Sequence, residues 1–124
     1  PEVKRRILLG TFVLSSGYYD AYYGKAQKVR RMVVDKTAEL FKDYDLIFSP
    51  TTPHTAFAID QEESDPTAAY LEDIFTVHAN IAGIPSISVP MAEHENGLPL
   101  GMQFTAAKYA EADLLHFVQT LVHN

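Results

Sequence analysis

Five histidines, one serine pair and a short acidic run are the residues of this sequence that could carry chemistry by themselves. His54, His78, His94, His116 and His123 are scattered, with no metal-ligand spacing among them. Ser15-Ser16 could offer a hydroxyl nucleophile, but no base flanks it, and serine at a helix break serves as a cap. Asp60, Glu62, Glu63 and Asp65 read as a solvated loop, because a working carboxylate pair needs a defined separation in space. There is no G-x-S-x-G elbow, no glycine-rich phosphate loop and no H-E-x-x-H helix. The chain has no cysteine, which excludes thiol catalysis, disulfides, zinc knuckles and iron–sulfur sites.

The elements that must position any site follow from periodicity. Val3, Ile7, Leu8, Phe12 and Val13 mark a helix over about 2–16, weakened by Gly10. Tyr18, Tyr22, Ala26, Val29, Val33, Thr37 and Leu40 form one stripe of a long helix over about 18–42. Lys25, Lys28, Arg31, Lys36 and Lys42 fall off that stripe, on a solvated face. Residues 45–49 read as a strand halted by Pro50, followed by a polar, proline-bearing loop to residue 67. Asp65-Pro66 reads as an N-cap with proline at the first helical position, opening a helix over about 66–82 that stops at Gly83. Strands over about 86–90 and 100–105 are joined across Asn96-Gly97, and a helix over about 110–123 buries Leu114, Leu115, Val118 and Leu121. Leu46, Ile47, Phe48, Ile87, Val89, Met102 and Phe104 imply a sheet needing cover on both faces. The expected class is α/β, an α+β arrangement of helices on a short mixed sheet.

Composition agrees with a single domain. The chain has 124 residues, 47% hydrophobic and 21% charged, with a net charge of −6 that speaks against a direct nucleic-acid surface. At this size, folding should bury about two-thirds of the chain's surface, leaving roughly 6,700 Å² exposed. No apolar run approaches a membrane span and no signal peptide opens the chain, so a cytoplasmic location is expected. The opening Pro1-Glu2-Val3 lacks a methionine and enters a periodic segment at once, as expected of a piece of a longer protein.

Longer motifs go further. The stretch Val3-Lys-Arg-Arg-Ile-Leu-Leu-Gly-Thr-Phe-Val-Leu-Ser-Ser-Gly-Tyr-Tyr-Asp-Ala-Tyr-Tyr23 is followed by Lys25-Ala-Gln-Lys-Val-Arg30. Downstream come Asp45-Leu-Ile-Phe-Ser-Pro-Thr-Thr-Pro53, Ala82-Gly-Ile-Pro-Ser-Ile-Ser-Val-Pro90 and Gly97-Leu-Pro-Leu-Gly-Met-Gln-Phe104. Together they resemble the amidase-signature family. Gly17-Tyr-Tyr-Asp-Ala-Tyr-Tyr23 points, within it, to the A subunits of the tRNA-dependent amidotransferases, and to their C-terminal part.

That resemblance implies a glutamine-hydrolysing Ser–cis-Ser–Lys amidase. Its ammonia passes to a partner subunit that uses ATP and Mg2+ to activate the glutamyl group of Glu-tRNA(Gln). The implied partners are glutamine, the B and C subunits and, through them, Glu-tRNA(Gln). The serine-rich signature and its lysine have no counterpart in this chain, so by itself it is expected to be inactive. Arg6, in Lys4-Arg5-Arg6-Ile7, matches the arginine that holds the α-carboxylate of glutamine. Asp73, in Tyr70-Leu-Glu-Asp-Ile74, matches the aspartate that holds its α-ammonium. The chemistry suits a zwitterion: a planar guanidinium grips a carboxylate through two parallel hydrogen bonds, and a fixed carboxylate answers the ammonium. Without the motifs, both residues would read as surface groups in weak ion pairs.

His78 stands where the family usually has proline, which should allow a straighter helix beside Asp73. Ala106-Ala107 stand near a common glycine. Two other functions are open to the same motifs: another amidase-signature hydrolase, and a non-catalytic assembly module. Only an amino-acid amide donor needs both charges of Arg6 and Asp73, which separates the amidotransferase reading from the other hydrolase. Apolar strands without their full cover should also drive the isolated chain into a homo-oligomer.

Overall fold

The computed structural model describes residues 2–15, 17–59 and 68–122. Helix α1 spans Glu2–Val13, and a π-helical turn over Tyr19–Tyr23 leads into α2, Gly24–Leu40. Strand β1 is Leu46–Pro50, the short helices α3 and α4 are Ala68–Leu71 and Val77–Ala82, β2 is Ser86–Glu93, β3 is Pro99–Ala106, and α5 is Glu111–Val122.

The three strands lie in the order β1-β3-β2, with both pairings antiparallel. The sheet expected to be mixed is therefore wholly antiparallel among the described residues. The β2–β3 link enforces this. Gly97 takes φ +78, its amide donates to the His94 carbonyl at 2.8 Å, and the Asn96 side chain accepts the Leu98 amide at 3.1 Å. Since β1 and β2 both run opposite to β3, the α3–α4 crossover spans a split β-α-β unit with β3 slotted between. Met91 is the extra residue of a bulge in β2, beside Pro90, which an edge strand tolerates.

Register separates the sheet's two faces. Leu46 pairs with Ala106, Phe48 and Ile87 flank Phe104, and Val89 pairs with Met102, so these residues share one face. Val89, Phe104 and Ala106 meet Leu114 and Val118 of α5 in the buried core, with Phe117 edge-on to Phe104 at 5.2 Å. The opposite face carries Ser49, Ser86, Ser88, Gly101, Gln103 and Thr105, with Ile47 and Pro90 its apolar members. The expectation of two apolar faces is corrected here: the apolar residues alternate onto one side. Gly101 has a steric reason to be glycine. Thr51 and Ser88 hydrogen-bond at 2.6 Å across it, and a Cβ there would lie 3.0 Å from both hydroxyl oxygens.

The helices depart from the expected ones in three places. Residues 18–42 begin as a π turn, closed by the Gly24 amide donating to the Tyr19 carbonyl. The helix expected over 66–82 breaks at 72–76. Asp73 and Ile74 amides bond three residues back, at 3.3 and 3.2 Å, and the Thr76 hydroxyl takes the Asp73 carbonyl at 3.2 Å. Ile74, Phe75, Thr76 and Val77 are β-branched or aromatic residues that resist continuation. His78 thus brings no straighter helix. Its ring bonds the buried Thr37 hydroxyl at 2.8 Å, tying α4 to α2. The stripe on α2 is mostly uncovered, with Thr37 buried and Tyr22, Val29 and Leu40 exposed. Of the apolar positions on α5, Leu114 and Val118 are buried while Leu115 and Leu121 are exposed.

The core is smaller than length alone implies. Total accessible surface is 9843 Å², against the roughly 6,700 Å² of a compact chain this size. Ile7, Leu8, Phe12 and Phe48 are among the large apolar side chains left in solvent. The described residues include no helix long and apolar enough to cross a membrane.

Candidate functional site

Arg6 and Tyr70 meet where α1 approaches α3. The Arg6 guanidinium carbon lies 5.3 Å from the Tyr70 ring centroid, a cation–π distance. Leu9, Gly10, Val13, Leu14 and Tyr23 complete the wall of a cleft of about 500 Å³ beneath them. The helical repeat of α1 places Arg6, Gly10 and Val13 on adjoining turns of one side. The π turn delivers Tyr23, whose hydroxyl accepts from the Gln27 amide at 2.9 Å and whose ring packs 4.9 Å from Tyr19. Tyr18, on the neighbouring turn, packs 4.3 Å from Phe12 and fixes the bend after α1.

Asp73 begins the turn after α3, its amide donating to the carbonyl of Tyr70. The residue that faces Arg6 and the residue expected to hold an ammonium are therefore one turn apart on the same backbone. Asp73 itself is exposed, and so is Arg6. Glu72 beside it pairs with His54 Nδ1 at 2.8 Å, tying the loop after β1 to this turn.

A second, more polar cleft of about 650 Å³ lies between α4 and the hydroxyl face of the sheet, with Thr51, Thr76, Asn80, Ser88 and Gln103 in its wall. Gln103 is buried, and its amide donates to the Phe75 carbonyl at 3.1 Å.

Two other chemistry-bearing residues, Ser15 and His94, have structural partners. The Ser15 hydroxyl donates to the Phe12 carbonyl at 2.6 Å, so it closes the C-terminal end of α1 rather than capping an N-terminus. Ser16 lies outside the described residues, as do the acidic run Asp60, Glu62, Glu63 and Asp65, the Asp65-Pro66 cap and His123. His94 accepts the Asn96 amide within the β2–β3 turn. No grouping of three metal-ligating side chains occurs among the described residues.

Tyr70 and Gln103 are the functional candidates that sequence patterning missed. Tyr70 reads as one more apolar residue of a helix, and its signal is its place three residues before Asp73. Gln103 stands out as the amide inside an otherwise apolar strand.

Comparison with known proteins adds an independent line. The family described as Amidase matches residues 1–115. The A subunit of glutamyl-tRNA(Gln) amidotransferase from Brevibacillus brevis is 54% identical over 114 residues, covering 92% of this chain and 23% of the relative. That of Halothermothrix orenii is 54% identical over 120 residues, covering 97% and 25%. The crystal structure of the same subunit from Thermotoga maritima aligns with TM-score 0.71 at 51% identity, over 88% of this chain and 24% of that one. A bacterial aryl acylamidase of the amidase signature family aligns with TM-score 0.64 at 26% identity, over 91% and 24%. The chain thus spans about a quarter of the length of the relatives it matches.

Proposed function

This chain belongs to the amidase family, and on that premise we propose that it forms the C-terminal quarter of a glutamine-hydrolysing amidotransferase A subunit. On this reading it supplies the grip on glutamine while the nucleophile and its base lie outside it. Arg6 takes the α-carboxylate, Asp73 takes the α-ammonium, and the side-chain amide is left pointing at the hydrolytic centre. Fixing both charges at one end of a flexible substrate orients the other, which is the entropic part of catalysis.

The observation that carries the reading is the placement of Arg6 over Tyr70, one turn before Asp73. Tyr70 thus links the Arg6 guanidinium to the turn that carries Asp73, although Asp73 is not in the wall of the Arg6–Tyr70 cleft. A simple aryl amide offers no zwitterion and would need neither charge, which favours an amino-acid donor over the acylamidase alternative.

The released ammonia goes to partner B and C subunits, where ATP and Mg2+ activate the glutamyl group of Glu-tRNA(Gln) for amidation in protein biosynthesis. We place this in the cytoplasm, where charged tRNA is made. The test is transfer of label from amide-15N glutamine in the assembled enzyme. Label in the amide of Gln-tRNA(Gln) is expected, and labelled ammonia with none in the tRNA would contradict the assignment.

A further inference from the structure

Gln103 sits in the middle of the central strand, on its hydroxyl face, and is 6% exposed. A primary amide there is unfavourable unless its hydrogens are used. One Nε2 hydrogen goes to the Phe75 carbonyl at 3.1 Å, and the other reaches Ser49 Oγ at 3.4 Å. A carbonyl can only accept, so the first bond fixes which way the amide points.

Phe75 lies in the break at 72–76, where regular helical bonding gives way to three-residue turns and one four-residue bond, from the Val77 amide to the Asp73 carbonyl at 3.0 Å, and side chains add to these. Local ones act within it: the Thr76 hydroxyl on the Asp73 carbonyl, and the Asn80 amide on the Thr76 carbonyl at 3.2 Å. Among the described residues, two tethers reach it from farther away in the chain. His54–Glu72 is exposed, with 76% of the histidine side chain in solvent, so water competes for both partners. The Gln103–Phe75 bond is part-buried, with Gln103 itself buried, so water competes for it less than for the exposed pair.

We propose that Gln103 is a positioning residue for the donor amino acid: by holding the Phe75 carbonyl it fixes the turn on which Asp73 meets the α-ammonium. This rests on the reading of Asp73 given above. The side chain does not touch the donor. It sets where the carboxylate stands, and a displacement of about 1 Å at such a group is enough to impair catalysis strongly.

The experiment compares two substrates in the assembled enzyme: glutamine, and glutaramate, which keeps the amide and the carboxylate but lacks the α-ammonium. Gln103→Leu and Gln103→Met each fill the volume without the donor, so one remains readable should the other misfold. With folding verified by an unchanged circular-dichroism spectrum, both should lower kcat/KM for glutamine by about tenfold, chiefly through KM. Glutaramate hydrolysis should be unaffected, so the preference for glutamine falls. A general structural role would depress both substrates equally and overturn the proposal. Asp73→Asn is the control. If it lowers the preference and the Gln103 variants do not, the positioning role is wrong while the Asp73 reading stands. If it leaves the preference unchanged, the Asp73 reading falls and this inference with it.

Discussion

The guanidinium of Arg6 lies over the ring of Tyr70, 5.3 Å from its centroid. The contact fixes a long, flexible cation at the corner where α1 meets α3. A cation–π contact at an exposed site contributes about 0.5–1 kcal/mol, roughly two- to fivefold in affinity. Tyr70→Ala should therefore raise KM for glutamine by about that factor, whereas Tyr70→Phe, which keeps the ring face, should not. Steady-state glutaminase kinetics on the assembled enzyme decide it, and equal effects of the two changes would remove the ring from the account.

Arg6→Lys keeps the charge and loses the fork. A point-like ammonium cannot form the two parallel bonds that a guanidinium makes to a carboxylate. The expected outcome is a KM for glutamine about tenfold higher with kcat little changed, since binding rather than chemistry is weakened. A fall in kcat at constant KM would mean that Arg6 acts in the chemical step instead.

Gly101 lies beneath the Thr51–Ser88 hydrogen bond, which links the residue just after β1 to β2 across the central strand. Gly101→Ala should part the two hydroxyls and destabilise the fold by about 1–2 kcal/mol. Denaturant melts of the wild type, Gly101→Ala and Thr51→Val provide the check. If the glycine and threonine changes act through the same hydrogen bond, their combination should cost less than their sum.

His78 and Thr37 form a polar link between α2 and α4, beside the Arg30 guanidinium donating to the Ile81 carbonyl at 3.3 Å. Replacing His78 with alanine leaves the buried Thr37 hydroxyl without this partner, at an expected cost of about 1–3 kcal/mol. The same melts read this out, and a neutral substitution would show that Thr37 is satisfied elsewhere.

Expressed alone, this chain should self-associate. Its surface exceeds that of a compact chain by about 3,000 Å², more than the 1,200–2,000 Å² that a standard interface buries. The outer edges of β1 and β2 have no strand beside them among the described residues, and Phe48 is 55% exposed. A second copy can cover part of this with two-fold symmetry. Sedimentation equilibrium at micromolar concentration should show dimers or larger species, and a 13.9 kDa monomer with a cooperative melt would be the contrary result.

Local chemistry made several elements legible in the sequence. Leu114 and Val118, four residues apart, announce the buried side of α5, and Asn96-Gly97 announces the hairpin. Gly83 marks the end of α4 and takes φ +70 as a left-handed cap. What escaped depends on contacts between distant residues. Nothing in Ile74-Phe75-Thr76 shows that a strand glutamine will hold the Phe75 carbonyl and stabilise a break there. Alternation in β1 and β3 could have separated the apolar and hydroxyl faces, but consecutive apolar residues at Leu46-Ile47-Phe48 obscure the period. At the site, Arg6 and Asp73 stand out through motif resemblance alone, because an exposed charge carries no signature of its ligand.

The most direct test of the glutamine grip is a crystal structure of the assembled enzyme with glutamine bound. Expected are two parallel hydrogen bonds from the Arg6 guanidinium to the α-carboxylate, and a contact between the Asp73 carboxylate and the α-ammonium. Their charged ends should lie within about 8 Å of each other, the span of two hydrogen bonds plus the ligand's own. Glutamine held by other residues, with Arg6 and Asp73 pointing to solvent, would contradict the claim.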